Sequence, residues 1–328
     1  MKKTKFIAVA AAALSIVALS SCEQKTGYKI GILLPVEHAA LETCTKGFKE
    51  AISSANLEIE VSFEERNAGG KDADLIAFSK DLVSTCNMTF GLGTGASQAL
   101  KSASKDKGII NPVLFSAVTD PVDAGLVESL ANGKGFVTGT TDAQPVEEQI
   151  DLITQLLPDV DKIGILYTQS ETNSKIQADQ AEAAAKAAEL EVSIKTVTGP
   201  SDISATALAL ASEEGMDAIY IPTDNNLAAN MNAIKSAATS NHVLVVTGEE
   251  GMLSTGGHVT LSIDYKELGR KAGEMAVQII KGEKRALDIP VTGMSADECE
   301  YVYSSSNVAE AGLVLPDWFT SLARDISK

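Results

Sequence analysis

Apolar residues follow one another along this chain in two alternating rhythms. Short β-rich runs read as strands: YKIGILL (28–34), EIEVSF (58–63), MTFGLG (88–93), PVLFSAV (112–118), KIGILYT (162–168), VSIKTV (192–197), AIYIPT (218–223), VLVVTG (243–248) and HVTLSI (258–263). Between most of them lie longer segments with helical spacing, among them LETCTKGFKEAISSA, DADLIAFSKDLVS, NSKIQADQAEAAAKAAE and YKELGRKAGEMAVQIIKG. Strands that are apolar on both sides of the pleat need cover on both faces, and intervening helices supply it. The pattern predicts an α/β protein built on parallel sheets.

KIGILLP at 29–35 and KIGILYT at 162–168 share five residues at an offset of 133, and each opens a new β–loop–α series. This predicts two similar lobes. Pro145 and Pro158 bracket a helix, VEEQIDLITQLL, near the first crossing between them. In open parallel sheets ligands bind beyond the carboxyl ends of the strands, where strand-to-helix loops converge. Those loops are where chemistry is expected.

The start of the chain follows another rule. Lys2, Lys3 and Lys5 precede an apolar segment, Phe6 to Leu19, and then the small Ser20 and Ser21, the layout of a secretory signal peptide. As a helix that segment spans about 21 Å, short of a hydrocarbon core of roughly 30 Å. Leu19-Ser20-Ser21-Cys22 is similar to the bacterial lipobox, which implies cleavage after residue 21, a lipid on Cys22 and a short leash over 22–27. Removing residues 1–21 takes away three lysines and no acid, so the formal charge moves from -17 to -20. Such a surface repels nucleic acid and anionic head groups. The remaining length suits two ordinary domains.

Cys44, Cys86 and Cys299 show no CxxC and no regular spacing, so no disulfide framework is expected. His38, His242 and His258 form no ligand-spaced cluster, so neither a metal nor a cofactor is expected. The loop GLGTGASQAL (91–100) matches G-x-G-x-x-A on paper but follows the third strand, and Ala99 stands where a nucleophile elbow needs glycine. It reads better as a helix N-terminus, with Thr94 as N-cap and backbone N–H groups near Ala96 and Ser97 suited to a carboxylate. Asn173 and Ser174 open a similar helix in the second half. Asp120, Asp224, Glu249 and Asp264 are acids placed to meet an amine, Asp264 foremost. Some also have structural readings: Asp264 with Glu267 as a capping box, Asp224 as an N-cap, and Asp120 before Pro121 as a turn residue.

At these loops the chain resembles a known family. VEHAALETCTKGFKEAI, RNAGG, GTGASQAL, SAVTDPVDAGLV, VTGTTD, NSKI, IPTDNN and DYKELGRKAGEMAVQIIKGE resemble, in order, motifs of the substrate-binding lipoproteins of ABC importers that include tryptophan- and phenylalanine-binding members. FSAVTDPVDAGLV and IPTDNN are the most specific. The resemblance implies the type I periplasmic-binding-protein fold, two Rossmann-like lobes joined by a multi-stranded hinge with an interlobe ligand cleft. In the first half it implies cleft contacts from Glu37, His38 and Asn67, from Thr94 with Gly95 and Ala96, and from Ser116 with Ala117 and Asp120. In the second it implies Asn173, Ser174, Thr223, Asp224, Asn225 and Glu249, then Asp264 with Tyr265. Ala39 and Glu42 replace the family's usual proline and aspartate, which reshapes the loop bordering the side-chain pocket.

The expected first lobe is 28–141 plus about 249–284, and the second 142–248 plus about 285–328. The expected function is that of an extracytoplasmic, membrane-anchored solute-binding lipoprotein that delivers an amino acid to an ABC permease. The ligand is expected to be aromatic: tryptophan, phenylalanine or tyrosine. The protein is expected to act as a monomer, without catalysis and without nucleic acid. A nucleoside or sugar ligand in the same fold calls for ring stacking, and only 5% of residues are aromatic. A sensory or adhesive lipoprotein and an exported α/β enzyme remain the other readings, although no nucleophile–base spacing or P-loop is present.

Overall fold

The computed structural model describes residues 27–131, 135–294 and 298–328; the expected signal peptide and lipidated Cys22 lie outside them. Among the described residues the strand runs assemble into two sheets. The first contains β1 (Tyr28–Leu34), β2 (Val61–Asn67), β3 (Met88–Leu92), β4 (Val113–Val118) and β5 (Val137–Thr141), in the order β2-β1-β3-β4-β5 with every pair parallel. The second contains β6 (Lys162–Thr168), β7 (Glu191–Val197), β8 (Ala218–Ile221), β9 (Leu244–Thr247), β10 (Val259–Ser262), β11 (Glu300–Tyr303) and β12 (Arg324–Asp325), ordered β12-β11-β10-β9-β8-β6-β7. Only β10 and β11 run antiparallel. The repeated KIGIL segments occupy equivalent places: β1 lies between β2 and β3, and β6 between β7 and β8.

The helices are α1 (Ala39–Ser54), α2 (Asp72–Thr85), α3 (Gly93–Lys107), α4 (Val146–Leu156), α5 (Thr172–Ala187), α6 (Pro200–Ala211), α7 (Asn225–Ala228), α8 (Met231–Asn241), α9 (Tyr265–Ile280), α10 (Ser305–Glu310) and α11 (Asp317–Leu322). In the first lobe Ile30, Ile32, Phe90 and Leu114 pack against α1 and α9, where Phe48 stacks on Phe90 at 3.9 Å between ring centroids. The opposite face carries Leu33, Val113 and Phe115 onto Leu82 of α2 and Leu100 of α3. In the second lobe Ile163, Ile165, Tyr220 and Val246 meet α4, α5 and Phe319, while Leu166, Ile219 and Val245 meet α6 and α8. Each sheet is thus covered on both sides, which is why its strands read as continuous apolar runs.

Three strands were not evident in the sequence. β5 reads VTGTT, and β11 and β12 are short and partly polar. β2 starts later than expected and runs through the charged residues to Asn67, as a sheet-edge strand with no fully buried side chain can.

The chain leaves the first sheet after Thr141 and returns after Ser262; α9 then docks on α1. Glycines make that seam close. A Cβ at Gly269 would fall 1.9 Å from the Cys44 carbonyl oxygen, and one at Gly47 2.0 Å from that of Lys266. Residues 286–293 stay with the first sheet, since Thr141 N–H donates to Thr292 O at 2.9 Å and Thr138 Oγ1 to Ile289 O at 2.8 Å. β10 keeps the chain in the second sheet up to Ser262, and 286–293 lie beside the first. Among the described residues no helix is long and apolar enough to cross a membrane, and no group of three His, Cys, Asp or Glu could hold a metal.

Candidate ligand-binding site

Loops from the carboxyl ends of both sheets face each other across a cleft of about 290 Å³, lined by Val36, Lys71 and Thr94 on one side and Glu171, Asn173 and Asn225 on the other. The lobes touch across it. His38 Nε2 lies 3.1 Å from Asn225 Oδ1, and Gln177 Nε2 donates to Thr119 Oγ1 at 3.4 Å. At the first crossing Tyr265 O–H donates to Asp142 Oδ2 at 2.8 Å and accepts from Gln144 Nε2 at 3.2 Å.

Five polar atoms in these loops and crossings are shielded from solvent and have no partner: His38 Nδ1, Thr94 Oγ1, Gln144 Oε1, Thr223 Oγ1 and Glu249 Oε1. An unsatisfied buried polar group costs about 1–3 kcal/mol, and native structures hold few of them. All five stand just after the carboxyl ends of strands, His38, Thr94 and Gln144 beyond the first sheet and Thr223 and Glu249 beyond the second, which is where open α/β sheets bind ligands.

The second-lobe wall is otherwise internally bonded. Asn173 Nδ2 and Ser174 Oγ both donate to Thr223 O, at 2.8 and 3.0 Å, and Thr223 N–H donates to Gln177 Oε1 at 2.7 Å. Asp224 caps α7 through Leu227 N–H and also accepts from Thr168 N–H at 2.6 Å and Thr168 Oγ1 at 2.9 Å. Asn225 donates to Glu171, a residue the sequence did not single out.

The other expected residues are held as follows. Thr94 is not an N-cap: α3 begins at Gly93, so Thr94, Gly95 and Ala96 form its first turn and the Thr94 hydroxyl is left open. Ser116 is buried, 3.1 Å from the Cys44 thiol that donates to it and 2.7 Å from Thr140 Oγ1. Ala117 after it has φ 55°, a left-handed conformation that breaks the β4–β5 register between Phe115 and Val118. Asp120 accepts from Val122 and Asp123 N–H, both at 2.9 Å, as a turn residue. Glu37 and Asn67 are exposed and bond to each other at 3.3 Å. Asp264 is exposed and caps α9 through Lys266 and Glu267 N–H at 2.7 and 3.2 Å, while the Glu267 carboxylate pairs with Arg270, so the capping box is half formed.

Burial sets the electrostatics. It pushes the Glu249 carboxyl up to about 8 against the pull of the Gly251 and Met252 N–H groups. Burial and the Asp224 charge raise Glu171 to about 8, opposed by the N–H groups of Asn225 and Asn226. Asp142 rises to about 6 through burial, opposed by the Tyr265 and Thr119 hydroxyls. Burial pulls His38 down to about 4, opposed by its bond to Asn225. Asp142, Gln144, Glu171 and Gln177 escaped the sequence reading; their only signal was position, in or just after loops between strand and helix.

The profile of the ABC transporter substrate binding protein family matches residues 29–325. The chain belongs to that family. A tyrosine-binding protein of Clostridioides difficile is 34% identical to this substrate binding protein over 290 residues, covering 87% of this chain and 81% of the relative. A solved ABC domain from Streptococcus pneumonia in complex with L-Trp superimposes with a TM-score of 0.83 at 32% identity, covering 91% of this chain and 99% of that one. The ligand-free, open structure of a Clostridium difficile substrate binding protein with adhesive properties gives 0.66 at 30% identity, with 92% and 99% covered. The architecture is the type I periplasmic-binding-protein fold.

Proposed function

We propose that this chain is the solute-binding component of an importer for an aromatic amino acid, held outside the cytoplasm by a lipid on Cys22 and delivering its ligand, as a monomer, to the membrane permease. It performs no catalysis. The observation that carries the reading is the set of five unpartnered buried polar atoms drawn from both lobes and their crossings. An α-amino acid matches them in kind: its carboxylate takes the Thr94 and Thr223 hydroxyls, and its ammonium takes the Glu249 and Gln144 oxygens. The tyrosine-binding relative and the L-Trp complex support an aromatic side chain. On this reading His38, Thr94, Gln144, Thr223 and Glu249 contact the ligand. Asn173, Ser174, Asp224 and Asn225 shape one wall, and Asp264, Asp120, Glu37 and Asn67 lie outside.

A thermal-shift panel of the twenty amino acids, nucleosides and sugars tests this. A ligand present at a hundred times its Kd adds about 2.7 kcal/mol to stability. Aromatic amino acids are expected to raise Tm; a rise with sugars or nucleosides alone overturns the ligand class. Cys22→Ser tests the anchor separately, with loss of membrane fractionation expected and no loss of binding.

A further inference from the structure

The His38 ring is held in one tautomer by a chain of bonds that crosses the cleft. Glu171 Oε2 accepts the backbone N–H of Asn225 at 3.0 Å and the Asn225 side-chain NH2 at 2.7 Å, and Oε1 accepts Asn226 N–H at 2.9 Å. The structure sets the Asn225 NH2 on Glu171, so the two ends of that amide face opposite ways. The Asn225 carbonyl oxygen is thereby turned toward His38 Nε2, 3.1 Å away. A carbonyl oxygen only accepts, so Nε2 carries the hydrogen. Burial keeps the ring neutral at pH 7, and Nδ1 is left as a bare acceptor, shielded from solvent and without a protein partner.

An amino acid brings two kinds of donor, its ammonium and whatever its side chain carries. The ammonium demands a charged or strongly polar acceptor once desolvated, and Glu249 Oε1 is a buried carboxylate oxygen with no partner. That leaves His38 for the side chain. We infer that His38 Nδ1 accepts a hydrogen bond from a donor on the ligand's aromatic ring, so that the site selects a phenol or an indole over a bare phenyl. The inference rests on the aromatic amino-acid reading above. Asn225 belongs to the second lobe and His38 to the first, so the selecting tautomer is fixed only when the lobes meet.

Calorimetry on the full chain with tyrosine, O-methyltyrosine, tryptophan, 1-methyltryptophan and phenylalanine tests it. The tighter of tyrosine and tryptophan is expected to lose roughly tenfold to a hundredfold on methylation of its donor, with phenylalanine as weak as the methylated form. His38→Phe should bring the ratio of the tighter ligand's affinity to that of phenylalanine down to near one, whatever it does to both. Asn225→Ala, which frees the tautomer, should shrink the preference several-fold. Equal binding of parent and methylated ligands by the unaltered protein overturns the inference while the aromatic reading stands, and this arm needs no variant to fold. Equal weakening of phenylalanine and the tighter ligand by His38→Phe also overturns it. If no aromatic amino acid binds at all, the broader reading fails first and takes this one with it.

Discussion

The two walls of the cleft are built by similar sheets but pair their polar groups to different extents. On the second lobe Asn173, Ser174, Gln177 and Asp224 bond to Thr223, Thr168 and Leu227 within the wall itself. On the first lobe and at the first crossing His38, Thr94 and Gln144 each keep one buried atom without a partner, and on the second lobe the Thr223 hydroxyl and Glu249 Oε1 stay open among those paired neighbours. A wall whose groups are already paired holds its shape without a ligand, and a wall with open groups is completed by one. On the proposed function the open groups, His38, Thr94, Gln144, Thr223 and Glu249, read the ligand, and the paired groups of the second lobe enclose it.

The strongest way to break this contrast is Glu249→Gln, which should weaken aromatic amino-acid binding about a hundredfold by leaving a buried ammonium without an anion. In the empty native state the Glu249 carboxyl keeps its proton up to about pH 8, whereas an ordinary glutamate loses it near 4.5. Over that interval the folded state holds more protons than the unfolded, so stability falls as pH rises. Glu171 acts in the same direction. His38 and His258, pulled down to about 4, oppose it, but only below their usual 6.5. From pH 6.5 to 8 the empty protein should therefore lose stability in denaturant melts, and Glu249→Gln should lose less. Ligand binding at pH 7 should also release a proton, seen as a binding enthalpy that varies with the buffer.

Asp224→Ala sharpens the contrast from the side of the paired groups. It should lower stability by about 2–3 kcal/mol, because the Thr168 N–H and hydroxyl lose their acceptor. Affinity of the folded fraction should stay within about threefold, and a loss near that of Glu249→Gln would make Asp224 a reader. Thr94→Val keeps shape and removes one open hydroxyl, so titration should show about a tenfold loss with little change in Tm. The smallest effect is expected at Asp264→Ala: about 1 kcal/mol of stability from the α9 cap and unchanged affinity.

How much of this was legible follows from how far apart the partners lie in the chain. The α/β alternation and the KIGIL repeat report local patterning and burial, so both sheets and the equivalent seats of β1 and β6 were foreseeable. Asp224 and Asp264 were recognisable as caps because a cap acts over three residues. Asp142, by contrast, meets Tyr265 across 123 positions, and Glu171 meets Asn225 across 54. No local pattern encodes such a pairing, so the groups that tune the cleft stayed hidden. Asp264 and Glu249 read alike in sequence as acids after strands, and burial alone distinguishes them: Asp264 is exposed and Glu249 is enclosed.

The glycine seam between α1 and α9 also bears on the order in which the molecule can be completed during synthesis. Leu268, Ala272, Met275 and Ile289 share a core with Ile30, Ile32 and Phe48. A ribosome that has made the first five strands has therefore made a sheet with one face half uncovered, and the missing helix arrives only after most of the second sheet has been translated. The nascent first sheet is obliged to wait with its apolar side open. That exposure, which lasts for more than a hundred codons, is a window in which a chaperone or an export factor finds a surface that the finished protein no longer displays.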